Sequence, residues 1–243
     1  MKDQIKKLRD FIIKDIESGA IADASLWAGR LDFFNNEIKR LNMYTRDQVK
    51  NAVEGKNHKY FSEGDWNVNI VGIRNSETEG KVTNRFDDLM TVSYKVDGEW
   101  QYHEFDCTTD PGTHWVENCA YSKKGVAILK PDQYRKSHKI RKHLGQYEAL
   151  GQQNPVTVYR DPNKDAVYNL DENNTQTGLF GINIHRASKY AGKKSTQINK
   201  WSAGCQVIAA NDDWTKFMKI MRKARSVWTN DFTYTLIESK DVT

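Results

Sequence analysis

Residues 89–108, LMTVSYKVDGEWQYHEFDCT, decide the class of fold. Met90, Val92, Tyr94 and Val96 alternate with Thr91, Ser93 and Lys95, which is the period of a strand with one buried face, and Trp100 to Thr108 reads as its partner. Between them, Asp97-Gly98 supplies the positive φ angles that a two-residue primed turn requires. An antiparallel hairpin is expected.

The same period extends outward in both directions. Upstream, Val68, Ile70, Val71 and Ile73 are interspersed with Asn67, Asn69 and Gly72; downstream, Gly125 to Lys130, Val156 to Arg160, Gly178 to Arg186 and Phe232 to Ile237 read as further strands. Asp110-Pro111-Gly112 and Lys130-Pro131 punctuate them, and Thr108 to Trp115 reads as a turn. One late helix, from about Asp212, carries Trp214, Phe217, Met218 and Met221 on one side.

Before residue 63 the period is helical. Ile5, Leu8, Ile12 and Ile16 form one stripe, and Leu31, Phe34, Ile38 and Leu41 form a second over residues 25–41. Thr45-Arg46-Asp47-Gln48 has the form of a capping box and opens a third helix that Gly55 ends. The chain therefore reads as a helical appendage over 1–62 and a mainly β domain over 63–243.

Composition narrows the partners. With 38% hydrophobic and 28% charged residues the chain is expected to be a soluble globular protein, and its net charge of +5 suits an anionic polymer without selecting one. The densest basic stretch, Arg135 to His143, is interrupted by polar and apolar residues, so no nucleic-acid partner is expected. The N-terminus, MKDQIKKLRDFIIKDIESG, mixes charge into its apolar positions; neither a signal peptide nor stable membrane insertion is expected, and synthesis in the cytoplasm is. Three cysteines do not make a disulfide scaffold, and the absence of His-Glu-x-x-His and paired Cys-x-x-Cys motifs gives no reason to expect a metal or other cofactor.

The chemistry lies in GLFGINIHRASKYAGKKSTQINKWSAGCQVIAA, residues 178–210. Alternation places Phe180, Ile182 and Ile184 on one face and Gly181, Asn183 and His185 on the other. Sixteen residues after His185, from Arg186 to Trp201, comes Ser202-Ala203-Gly204-Cys205, a glycine directly before a cysteine at the start of an apolar strand. Such a turn can aim backbone N–H groups at whatever the sulfur attacks.

This order and spacing resembles the L,D-transpeptidase (YkuD-type) catalytic domain, in which a His at a strand end is followed by Ser/Thr-His-Gly-Cys. The resemblance implies a β-sandwich with flanking helices, Cys205 as nucleophile, His185 as its base, Ser202 as a hydroxyl shaping the pocket, and the Gly204 and Cys205 amides as oxyanion donors. Asn183, Arg186, His114 and His143 are the candidate substrate-binding residues. Two departures stand out: Ala203 occupies the place of the family's second His, and Val207 that of its Arg or Asn. The variant resembles a divergent phage and prophage branch, which implies a hydrolase that cleaves peptidoglycan stem peptides, an endolysin-type lysis protein or virion component acting on the cell wall after release. Two alternatives stand beside it: a transpeptidase that cross-links the wall, and an inactive structural module. An adjacent imidazole is expected to depress the Cys205 pKa and make the thiol alkylate rapidly near neutral pH, while Cys107 and Cys119 are expected to be inert.

Overall fold

The Asp97-Gly98 turn forms as the sequence predicts, with φ of 50° and 79°, and pairs Val96 with Glu99. The structure is a computed structural model that describes residues 11–16, 18, 43–118 and 122–243. The hairpin strands are β2 (Asp88–Val96) and β3 (Glu99–Thr108), and β1 (Asn69–Arg74) precedes them. Then come β4 (Val126–Leu129), β5 (Asp132–His143), β6 (Tyr147–Gln152), β7 (Val156–Asp161), β8 (Thr175–Gly178), β9 (Ile184–Arg186), β10 (Gln206–Ile208) and β11 (Phe232–Glu238). Three helices are labelled here: α1 (Arg46–Gly55), α2 (Thr113–Asn118) and α3 (Asn211–Val227).

The protein is mainly β, as expected, but its main sheet is a closed barrel rather than one layer of a sandwich. Its strand order is β1-β11-β5-β6-β9-β10-β3-β2. Closure depends on β1, which pairs antiparallel with β2 and in parallel with β11, so that neither strand is left as an edge. A second parallel pair, β9 with β10, sits on the opposite side of the order. Strands β4, β7 and β8 form a separate three-stranded antiparallel sheet.

Three local expectations need correction. Gly178 to Arg186 is not one strand: β8 ends at Gly178 in the small sheet and β9 begins at Ile184 in the barrel, with Gly181 at φ 73° between them. Residues 132–152 form a strand pair that periodicity did not flag, because the outward positions of β5 carry Arg135, Lys139 and Arg141 and hide its buried residues Tyr134, His138 and Ile140. The turn expected over Thr108 to Trp115 ends in the short helix α2.

The chain divides into Met1–Thr45 and Arg46–Thr243. The third expected helix is therefore part of the larger unit, where Val49, Ala52 and Val53 of α1 are buried. In the smaller unit residues 11–16 are helical; the rest of the first stripe and the second helix lie outside the described residues.

The core joins the inward faces of the barrel strands to one side of α3. Trp214, Phe217, Met218, Ile220, Met221 and Ala224 pack with Met90, Phe105, Leu150, Ile184 and Tyr234. At about 1.5–3 kcal/mol per large apolar side chain removed from water, this face alone contributes on the order of 10 kcal/mol before entropy is set against it. Cys107 is fully buried in this core, and burial together with nearby carboxylates pushes its thiol well up, in line with an inert role; Cys119 lies outside the described residues.

A buried polar group ties the two sheets together. Arg74, at the end of β1, has its Nε 2.9 Å from Asp110 Oδ1, and its Nη2 donates to the carbonyls of Leu129 on β4 (2.9 Å) and Thr109 (3.3 Å). Asp88 accepts from the Asn75 and Thr109 amides at 2.7 and 2.6 Å. Burial, then the charge of Asp110, raises Asp88 to about 7.

Candidate active site

The parallel pairing of β9 with β10 sets His185 and Cys205 on neighbouring strands, two positions apart in register. Val207 is opposite His185 and Gln206 opposite Ile184, so Cys205, one residue earlier, stands beside Asn183. Alternation then puts Asn183, His185, Cys205 and Val207 on one face, while Ile184 and Ile208 point into the core. Positions offset by two residues on neighbouring strands have Cα atoms about 8 Å apart, within reach of a His and a Cys side chain that lean towards each other.

Each side chain is held by backbone. His185 is buried, and its Nδ1 lies 2.9 Å from the carbonyl of Arg186. A carbonyl only accepts, so Nδ1 carries the proton and Nε2 keeps its lone pair, the form a general base needs. The Cys205 thiol donates to the Gly181 carbonyl at 3.3 Å, and the Asn183 backbone N–H points at the sulfur. The resting thiol proton therefore lies on Gly181 and not on His185.

Three residues from the hairpin β5–β6 complete the site: His143, Tyr147 and Gln152. His143 stacks on His185 with ring centroids 4.5 Å apart and planes inclined by 23°. Asn183 Oδ1 accepts from the Gln152 amide at 2.9 Å, which turns its Nδ2 towards His143 Nδ1 at 3.4 Å. The His143 proton is thereby placed on Nε2. Tyr147 lies 5.5 Å from the His143 ring, carries the Arg186 guanidinium 4.2 Å over its own ring, and is within electrostatic reach of Cys205.

The Ser-Ala-Gly-Cys turn is built differently from the expectation. Ser202 is fully buried; its hydroxyl donates to the Cys205 carbonyl at 2.8 Å and accepts the Gly204 amide at 3.1 Å. Ser202 thus locks the turn and does not line a pocket, and the Gly204 N–H is already engaged and is not an oxyanion donor. The Cys205 N–H makes no hydrogen bond among the described residues, so of the two expected donors it is the one left open. Gly204 is required for geometry: its φ is 133°, and a Cβ there would stand 2.2 Å from the Ala127 carbonyl oxygen on β4. Gly204→Ala is expected to destabilise the fold by about 2–3 kcal/mol in urea titrations, from positive-φ strain together with the clash; a loss below about 0.5 kcal/mol would contradict this geometry.

Electrostatics correct a further expectation. Burial pushes the Cys205 thiol up to about 11, against the pull of the Asn183 amide. Burial also lowers His185 to about 4, with His143 adding to the shift and the Arg186 carbonyl opposing it. The pair therefore rests as neutral thiol and neutral imidazole at pH 7, not as a preformed ion pair. Iodoacetamide alkylation of Cys205 is accordingly expected to be slow at pH 7, to climb about tenfold per pH unit with the thiolate fraction, and to level off only near pH 11. Rates read by peptide mass that plateau below pH 8 would instead reveal a thiolate–imidazolium pair.

Of the candidate substrate-binding residues, Asn183 and His143 lie on the face that carries Cys205 and His185, and Arg186 lies over the Tyr147 ring. His114 does not lie there: it sits on α2 against Trp115, whose Nε1 donates to the Lys200 carbonyl, and no contact among the described residues connects it to His185 or Cys205. His138, from the same basic stretch as His143, points into the core, where its Nε2 donates to the Ile182 carbonyl at 2.8 Å and its Nδ1 takes the Ser137 hydroxyl. Tyr147 and Gly151 escaped sequence reasoning; the Leu144-Gly145 turn between β5 and β6 was the signal that would have found the hairpin carrying them. Comparisons with protein-family models, with curated proteins and with solved structures give no match.

Proposed function

We propose that the protein is a cysteine-dependent acyl-transfer enzyme acting on peptidoglycan stem peptides, with hydrolysis as its net reaction. The observation that carries the reading is the His185 tautomer: Nδ1–H is fixed on the Arg186 carbonyl, and Nε2 is left as a base on the same sheet face as Cys205. The reaction starts when Cys205 rotates its thiol from Gly181 to His185 Nε2 and the sulfur attacks an amide carbonyl as the proton transfers. The Cys205 N–H faces the developing oxyanion. Collapse forms the thioester and expels the amine, which takes the proton from Nε2. A water deprotonated by His185 then cleaves the thioester, giving a carboxylate and restoring the thiol.

The Ser-x-Gly-Cys order, the sixteen-residue spacing from His185 and the resemblance to L,D-transpeptidases support peptidoglycan as the substrate. A cell-wall lysis role after release from the cytoplasm belongs to the same proposal. The test is mass spectrometry of muropeptides from purified sacculi before and after treatment: new cleaved species support the reading, and cross-linked products with an added amine acceptor would make the protein a transpeptidase.

A second reading, a structural module that keeps the fold without turnover, is favoured by two observations. Both reactive groups rest neutral, and the Gly204 amide is closed off by Ser202. Unchanged sacculi together with an inert Cys205 would establish it.

A further inference from the structure

The face that carries Cys205 and His185 continues across β9, β6 and β5, and there it holds unanswered positive charge. Arg141, on β5, pairs in register with Ala149 of β6, and its exposed side chain lies over the neighbouring Gly151. A Cβ on Gly151 would stand 1.9 Å from Arg141 Nε and 2.7 Å from its Cδ, so any larger residue at this position would lift the arm from the sheet. The register of Leu150 with Ile184 places Gly151 beside Asn183, and that of Gln206 with Ile184 places Asn183 beside Cys205. The Arg141 arm, Gly151, Asn183 and Cys205 thus form a row across the sheet.

A cleft of about 290 Å³ lies at the Arg141 end of this row and reaches as far as Asn183, the neighbour of Cys205; Arg141, Lys142, His143 and Gly151 are among the residues that line it. Its cations have no acidic partner among the described residues. Glu148, opposite Lys142 in register, is held instead by Arg222 at 2.8 Å and Arg225 at 3.8 Å. A guanidinium fork lying flat at the wall of a cleft is shaped for a carboxylate, which it can meet through two parallel hydrogen bonds.

We propose that this cleft is a carboxylate subsite in which Arg141, assisted by the charge of Lys142, binds a free carboxylate of the acyl donor. Two strand spacings, about 10 Å, separate Gly151 from Cys205. An extended peptide covers that distance in about three residues. The donor is therefore a peptide whose carboxylate lies within about three residues of the carbonyl that is attacked. The inference rests on Cys205 being the nucleophile of the proposed function.

Two small alkylating agents test the subsite without any wall substrate. N-iodoacetyl-diglycine and its C-terminal amide each undergo attack by the Cys205 thiolate at the iodomethylene carbon, forming an S–C bond and expelling iodide; only the acid carries a carboxylate, about 9 Å from that carbon when extended. Their rate ratio at Cys205, read by peptide mass at pH 10, cancels the thiolate fraction. In Arg141→Gln the ratio of the acid to the amide is expected to fall about five- to tenfold, and in Lys142→Gln by a smaller factor; raising salt should erode the wild-type preference. A ratio that is equal in wild type and Arg141→Gln overturns the proposal. So does a Cys205 inert to both reagents at pH 10, because the cleft then does not lead to the sulfur.

Muropeptides amidated at the terminal α-carboxylate or at a side-chain carboxylate distinguish the source. The amidation that raises KM in wild type but not in Arg141→Gln identifies the group bound, and no change with either overturns the subsite. Sacculi left intact while the alkylation ratio still responds to Arg141 would sink the hydrolase reading and retain the carboxylate site, so the two failures are separable.

Discussion

Cys205→Ser is expected to abolish release of peptides from purified sacculi, a fall of at least about 10⁴-fold, while leaving the fold intact. The serine oxygen is nearly isosteric with sulfur and can still donate to the Gly181 carbonyl, so the turn held by Ser202 should survive. A hydroxyl, however, is a far weaker acid than a thiol, and a base lowered to about 4 is too weak to activate it. His185→Gln should follow with a loss of about 10²–10⁴, because the base at Nε2 disappears while the carbonyl of Arg186 can still be engaged. Stability is checked by urea titration, activity by muropeptide mass spectrometry. Release by Cys205→Ser within tenfold of wild type would end the assignment of this residue as nucleophile.

Arg74→Met is expected to cost about 3–5 kcal/mol of stability, the largest effect of any single substitution considered. The methionine fills much of the same volume, yet Asp110 loses the cation at 2.9 Å and the carbonyls of Leu129 and Thr109 lose their donor. The loss should shrink as pH falls. Asp110 is raised by burial and held down chiefly by Arg74; without that cation its folded pKa climbs further, and protonation relieves the buried charge at a higher pH. Arg74→Lys should fall between, since one ammonium cannot span the acid and both carbonyls. Urea midpoints at pH 7.5 and 5 measure both effects; a deficit below about 1 kcal/mol at pH 7.5, or one that grows on acidification, would contradict this account. The network also touches β10, because the Thr109 carbonyl that Arg74 holds accepts Gln206 Nε2 at 3.3 Å, and Gln206 Oε1 takes the Tyr234 hydroxyl at 2.7 Å.

The two variants separate two roles that lie one residue apart. Cys205 faces outward and its loss is expected to remove the proposed chemistry; Gln206 faces inward, on the polar string that runs from Tyr234 to Arg74, and disturbance there is expected to remove stability. The same division applies to the histidines: His185 and His143 stack on the outer face beside the cleft, while His138 is bonded at both nitrogens within the core.

Sequence alone determined the elements whose cause is local. The β2–β3 hairpin follows from alternation and an Asp-Gly turn, and α3 from the spacing of Trp214, Phe217, Met218 and Met221. Tertiary structure alone decided what depends on distant partners. Closure of the barrel rests on β1 meeting β11 in parallel, and neither strand carries a mark of the other. Arg74 ends an apolar strand like a surface residue and is buried only because Thr109, Asp110 and Leu129 converge on it. The stacking of His143 on His185, and the raised Cys205 thiol and lowered His185 imidazole, likewise come from packing: burial disfavours the charge that the motif alone led one to expect.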